Sequence, residues 1–122
     1  MIVTVDTNIL VRAAAMDDQV QSPKAAKLLA ESKSIIITLP TLCEFVWVMR
    51  RSYGQNHSEI ASIIRRLLVA NKVQTDRAAA EAGIEFLDMN GDFADGVIAH
   101  IGAKAGGEVF VSFDKKAVTL VE

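Results

Sequence analysis

Ile2-Val3-Thr4-Val5-Asp6-Thr7-Asn8-Ile9 is the stretch that decides the fold class. Ile2–Val5 is short, β-favouring and nearly all apolar, which reads as a buried strand that stops at Asp6. Thr7 or Asn8 then supplies an N-cap for a helix over roughly Ile9–Ala15. The same alternation recurs along the chain. Pro23 starts a second helix that carries Ala26, Leu29 and Ala30, and Ile35-Ile36-Ile37-Thr38 is a second buried strand ended by Leu39-Pro40. A third helix is predicted over about Thr41–Ser52 and closed at Tyr53-Gly54, and a fourth runs from Ser58, with Glu59 in its first turn, to about Val69. Val73–Thr75 reads as a short strand. Asp76 caps a fifth helix that reaches about Met89, Asn90-Gly91 is a turn, and Asp92–Ala105 is a sixth helix stopped by Gly106-Gly107. Val109–Ser112 is a further strand-like run, followed by Asp114 and a short helical stretch. Strands that alternate with helices, each strand apolar along its length, imply a parallel sheet covered on both faces. The expected architecture is therefore α/β, with helices on a short and mostly parallel sheet.

The bulk properties agree. The 122 residues suit one domain, and with 51% hydrophobic residues a core can form without disulfides or a structural metal. Cys43, the only cysteine, excludes an internal disulfide and suits a reducing cytoplasm. No apolar run approaches a signal-peptide core or the roughly 20 residues that span a bilayer, so a soluble, cytoplasmic protein with no membrane partner is expected. The formal net charge of −2 argues at first against a nucleic-acid partner, but a net charge informs about steering and not about sites. Basic residues fall in pairs at Arg50–Arg51, Arg65–Arg66 and Lys115–Lys116, which solvated helix faces explain as well as RNA contacts do.

The acids carry more information. Ligands of open α/β sheets gather at the carboxyl ends of the strands. Asp6 follows the first strand and Asp114 the 109–112 run, Asp92 and Asp95 open the helix before that run, and Glu44 sits near the start of the helix after strand two. Each has an ordinary explanation by itself: Asp92 with Asp95, Asp114 and Asp6 as helix-start residues. Glu44 resists it most, because it lies within Leu42-Cys43-Glu44-Phe45-Val46-Trp47, where an ionised acid without a partner is costly. As a set, acids this close would repel unless a cation sat among them. Oxygen donors without histidine favour Mg²⁺ or Mn²⁺ over zinc.

In their order and spacing these residues resemble the PIN-domain ribonucleases, and among them the VapC-type toxins of bacterial toxin–antitoxin pairs. Val5-Asp6-Thr7-Asn8-Ile9-Leu10-Val11-Arg12 resembles the family's first motif, Leu42-Cys43-Glu44-Phe45 the helix-borne acid, Asp92-Phe93-Ala94-Asp95-Gly96-Val97-Ile98-Ala99 the third motif, and Ser112-Phe113-Asp114 the fourth. The resemblance implies a three-layer α/β/α PIN-like domain over residues 1–122 and metal-dependent hydrolysis of RNA phosphodiesters. It implies Asp6, Glu44, Asp95 and Asp114 as catalytic acids, with Asp92 added to them as a metal ligand, around one or two Mg²⁺ or Mn²⁺ ions. Thr7, Asn8 and Ser112 would orient those carboxylates, and Arg12 would meet a phosphate or a partner. A cognate antitoxin and a homodimer are the implied partners. The 41–52 helix is apolar nearly all round: Leu42, Phe45, Val46 and Met49 form one stripe, and Cys43 and Trp47 lie on another. It is the expected neighbourhood of an interface if it is not internal. Two departures stand out. Gly96 replaces the family's usual Ala, which should loosen the helix start, and the sequence ends at Glu122, before the family's final edge strand.

Other readings fit less well. A phosphatase or phosphotransferase with an Asp nucleophile wants a second acid at position 8, where Asn8 stands, and a catalytic lysine that Lys104 or Lys115 supplies only loosely. A PIN-like module that acts through protein contacts alone would not be expected to keep all the main acids. No G-x-G-x-x-G follows strand one, and Gly106-Gly107 has no following Lys-Ser or Lys-Thr to make a phosphate loop. His57 and His100 read as a surface residue and a helix-face residue.

Overall fold

Three short parallel strands and seven helices make up the computed structural model, which describes residues 1–121. In chain order they are β1 (Ile2–Thr4), α1 (Thr7–Ala15), α2 (Gln21–Glu31), β2 (Ser34–Ile36), α3 (Leu39–Arg51), α4 (His57–Val69), β3 (Val73–Gln74), α5 (Arg77–Asp88), α6 (Phe93–Lys104) and α7 (Lys115–Val121). The sheet order is β1-β2-β3, with both pairings parallel. Each parallel step needs a crossover, and two helices supply it each time: α1 and α2, then α3 and α4. This is the expected α/β class, mostly helical and consistent with the PIN-like α/β/α plan.

Register shows which strand side chains meet the core. Val3, Ile35 and Val73 are aligned across the sheet, and with Val5 and Ile37 they turn inward. The alternate row, Thr4, Ile36 and Gln74, is exposed. Burial of both rows was expected and is not found. The sheet is too short for its apolar runs to act as central strands along their whole length.

The core lies between the inner row and the helices. Leu10 and Val11 of α1, Phe45, Val46 and Met49 of α3, Ile60 and Ile64 of α4, and Ile84, Leu87, Phe93 and Val97 of α5 and α6 form one buried cluster. The stripe Leu42, Phe45, Val46 and Met49 is thus internal, which accounts for the apolar character of α3. α5 and α6 make the closest helix pair, through glycines. A Cβ built on Gly83 would fall 2.6 Å from the Phe93 ring, and one on Gly96 would fall 2.6 Å from the Ala82 carbonyl oxygen and 3.0 Å from Gly83 Cα. Gly96 therefore does not loosen the start of α6, as its sequence context implied. It lets two helix backbones approach to a distance that a methyl group would prevent.

Helix ends are tied by specific groups. The Asn56 side chain accepts from the Glu59 N–H at 2.8 Å while Glu59 accepts from the Asn56 N–H at 3.0 Å, a capping box in the N-x-x-E spacing. The predicted cap at Ser58 lies two residues too late. Asp76 caps α5 by accepting from the Ala79 N–H, as expected. Asp18 accepts from the Val20 and Gln21 N–H groups ahead of α2, and these bonds hold its carboxyl below the ordinary range. Two cations close helix C-termini from the β3 side. Lys72 Nζ donates to the Leu29 and Ala30 carbonyls at the end of α2, and Arg77 donates to those of Leu68, Ala70 and Val73 around the end of α4.

The strand expected at Val109–Ser112 does not form. Val109, Val111 and Phe113 are all exposed, and no residue of 107–114 pairs with the sheet. A β-favouring sequence becomes a strand only where a ladder completes its hydrogen bonds, and this one meets none.

Candidate active site

Asp6 leaves β1 at the carboxyl edge of the sheet, and its side chain caps α1. Oδ1 accepts from the Ile9 N–H at 3.1 Å, so Asp6, and not Thr7 or Asn8, is the cap. This corrects the expected helix start: Thr7 and Asn8 already lie within α1. Neither Thr7 nor Asn8 makes a side-chain hydrogen bond to a carboxylate among the described residues. Glu44 lies on α3 with its side chain exposed, so the burial cost inferred from its apolar neighbours does not arise. α3 is internal along one stripe only, and Glu44 sits on the other side.

The third motif gives the tightest electrostatic grouping. Asp92 is the residue before α6, yet its carboxylate caps no N–H group. Asp95 follows in the first turn, half-buried. Burial raises the pKa of Asp95 above the usual carboxylate range, and the charges of Asp92 and then Asp114 raise it further. Asp114 accepts from the Lys116 and Ala117 N–H groups, as expected of a residue that starts a short helix. Ser112 Oγ accepts from the Asp114 N–H at 3.0 Å, so Ser112 steadies Asp114. Asp114 reaches the group from a loop and not from a strand end.

Asp92 and Asp114 thus both act on Asp95. Among the described residues, no three acidic, histidine or cysteine side chains lie close enough to grip one ion directly. Neither Asp6, Glu44 and Asp95 nor Asp92, Asp95 and Asp114 therefore form a three-ligand cluster among the described residues. The chemistry of the donor set still suits a hard cation. The candidate ligands are all oxygen, Asp95 feels the charge of two other carboxylates, and Mg²⁺ keeps several waters and takes only one or two carboxylates directly.

Arg50, weighed in the sequence as a solvated residue or an RNA contact, and His57 and Cys43, expected to carry no chemistry, are linked to this group. Arg50 Nη1 lies 2.5 Å from His57 Nε2. Burial lowers the pKa of His57, the charges of Arg50 and Lys116 lower it further, and Asp92 pulls it up. Cys43 also feels Asp92: burial raises the thiol pKa and Asp92 adds to the rise. Nothing local in the sequence signals this convergence, because it depends on α3 packing against α6. Arg12, the expected phosphate or partner contact, is engaged locally. Its Nε donates to Gln21 at 3.0 Å, and its Nη1 lies 3.4 Å from Asp17 Oδ1.

With the fold and the acids in place, the comparison with known families is direct. The PIN domain matches residues 3–120, nearly the whole chain, and the protein belongs to the PIN domain family. PIN domains are in general nucleases, hydrolases that typically use divalent metals. No curated protein matches the chain. No solved structure matches it either. No helix of the described residues is long and apolar enough to cross a membrane.

Proposed function

We propose that the protein is a metal-dependent endoribonuclease of the VapC type, the cytoplasmic toxin component of a type II toxin–antitoxin pair. The observation that carries this reading is the PIN-domain match over residues 3–120, together with the placement of Asp92 and Asp95 at one helix start; the upward pull of burial, Asp92 and Asp114 on the Asp95 pKa agrees with it. A site that disfavours its own negative charge gains most from a cation. One or two of Asp92, Asp95 and Asp114 would hold Mg²⁺ or Mn²⁺ directly and the rest through its waters, with Asp6 and Glu44 approaching from the β1 and α3 sides. The ion would supply Lewis-acid activation of water and charge stabilisation at phosphorus. The chain's own part is orientation. α6 presents Asp92 and Asp95 from one helix start, and Ser112 fixes the backbone that carries Asp114. The attacking water would lose its proton to a carboxylate of this group.

A cognate antitoxin and a second copy of the chain are the partners this reading expects. Ile98 and Ile101 on α6, and Val109, Val111 and Phe113 after it, are exposed apolar side chains that either partner would cover. The wide spacing of the acids favours a second reading, a PIN domain that acts through protein contacts alone. Calorimetry with Mn²⁺ separates the two. The nuclease reading expects saturable binding that Asp95→Asn weakens at least tenfold, and RNA cleavage that chelator and Asp95→Asn both abolish. Equal cleavage by wild type and variant, in Mg²⁺ and in chelator, would remove it.

A further inference from the structure

One stripe of α3 runs from Cys43, packed against the core, to Trp47 and Arg50, which are exposed. Cys43, Trp47 and Arg50 stand four and three residues apart, on one helix face that extends about 10 Å. Both ends of the stripe lie beside α6: Cys43 feels the charge of Asp92, and so does His57, which Arg50 touches. Trp47 lies between them along α3, the helix that packs against α6. Its side chain is 59% exposed, an unusual state for the one tryptophan of the chain, and the Arg51 guanidinium lies 5.2 Å from its ring centroid. Arg50, Arg51 and Lys116 make no ion pair among the described residues, in contrast to Arg12, Lys27 and Arg65. Arg50 meets a histidine instead of an acid, and Lys116 acts on that same histidine. The result is a set of cations that make no ion pair among the described residues, with an exposed aromatic ring against one of them, on the side of the fold where α3 packs against α6.

We propose that Trp47, Arg50, Arg51 and Lys116 form a track for single-stranded RNA that leads to the acids of α6, on which a base stacks against Trp47 and flanking phosphates pair with the cations. Single strands are favoured over duplex because an unpaired base is required to lie on the ring, and stacking on an aromatic or a guanidinium plane tolerates any base. The track reconciles RNA binding with a net charge of −2: the positive charge that RNA needs is concentrated on one face. The inference rests on the nuclease reading, since it gives the acids their substrate.

The sole tryptophan makes the test direct. The full-length protein is titrated with a short single-stranded RNA in chelator, which prevents turnover, and Trp47 emission is followed together with the anisotropy of a labelled RNA. Emission should be quenched with the same midpoint as the anisotropy change. Trp47→Ala should weaken binding about tenfold or more, and Trp47→Phe, which keeps a ring, should restore most of it. Arg50→Gln with Lys116→Gln should lower the slope of log affinity against log salt by about 0.7 for each phosphate left without its cation. Asp95→Asn should quench normally and cut nothing. RNA that binds and is cut while Trp47 emission stays constant would overturn the track and leave the nuclease intact. So would a Trp47→Ala variant that keeps its RNA affinity but shifts from dimer to monomer in light scattering, which would make the stripe a contact with a second copy. A wild type that neither binds nor cuts RNA would remove the nuclease reading and the track with it.

Discussion

Gly96 and Gly102 belong to the same helix, and the structure assigns opposite signs to the same substitution at the two sites. At Gly96 a Cβ would lie 2.6 Å from the Ala82 carbonyl oxygen, 2.9 Å from Phe86 Cγ and 3.0 Å from Gly83 Cα. Two of these atoms are backbone, so relief requires α5 and α6 to separate. Overpacking costs about 1–3 kcal/mol, and an overlap with backbone atoms this close belongs to its upper half, about 2–3 kcal/mol, of which the better helix propensity of alanine returns about 1 kcal/mol. Gly96→Ala should therefore destabilise by about 1–2 kcal/mol. At Gly102 a Cβ meets nothing within 4 Å, so only the propensity gain remains, about 0.5–1 kcal/mol of added stability. For 122 residues at roughly 2.1 cal/mol/K each, about 1 kcal/mol corresponds to about 4 °C in Tm. Calorimetry should then show Gly96→Ala melting about 4–8 °C below wild type, and Gly102→Ala about 2–4 °C above it. Because α6 also carries Asp92 and Asp95, the first variant should lose affinity for Mn²⁺ while the second keeps it. A Gly96→Ala protein as stable as Gly102→Ala would refute the close α5–α6 approach.

Asn56→Ala removes the side-chain half of the capping box of α4 and should cost about 1 kcal/mol, read in urea as a lower midpoint at unchanged slope. Arg77→Met removes the hydrogen bonds to the Leu68, Ala70 and Val73 carbonyls and should cost about 2 kcal/mol, read the same way. Asp18 gives a pH signature. Its folded-state pKa lies below the ordinary 3.8, so the stability it contributes is present above that value and is lost as pH falls through the folded value. The difference in Tm between wild type and Asp18→Ala should thus be constant near neutrality and shrink below about pH 3.8; a difference that grows on acidification would contradict the bonds to Val20 and Gln21.

Local signals in the sequence are sufficient for the helices. The 3.6-residue periodicity, the Asp76 cap, the Asn90-Gly91 turn and the internal stripe of α3 all depend on residues a few positions apart. Asn90 indeed adopts a positive φ of 61°. The Val109–Ser112 run misleads because strand formation is settled by a distant partner, about which Val-Phe-Val-Ser is silent. The expected caps fall one or two residues late where several oxygen-bearing side chains compete, at Asp6 against Thr7 and at Asn56 against Ser58. For Asn56 the spacing to Glu59 already carries the answer. Among the acids, the sequence names all the members but does not sort them. Asp92 and Asp114 both act on Asp95 because helix packing and a loop bring them near it, while Glu44 is solvated because it lies off the internal stripe of α3, although its immediate neighbours in sequence are apolar. His57 reads as a plain surface residue because Arg50, Lys116 and Asp92, the charges that act on it, come from other elements.

Lys72 and Arg77 stand on either side of a strand only two residues long, and each reaches out to the end of a different helix. β3 is an outer strand with a ladder on one side only, the kind of border at which another chain can add itself. Its place is set less by its own ladder than by two long cationic arms clasped on carbonyl groups. Loosening either arm would release an unguarded margin of the sheet, so the first symptom of damage at these positions should be molecules sticking to one another at concentrations where the intact protein stays dispersed.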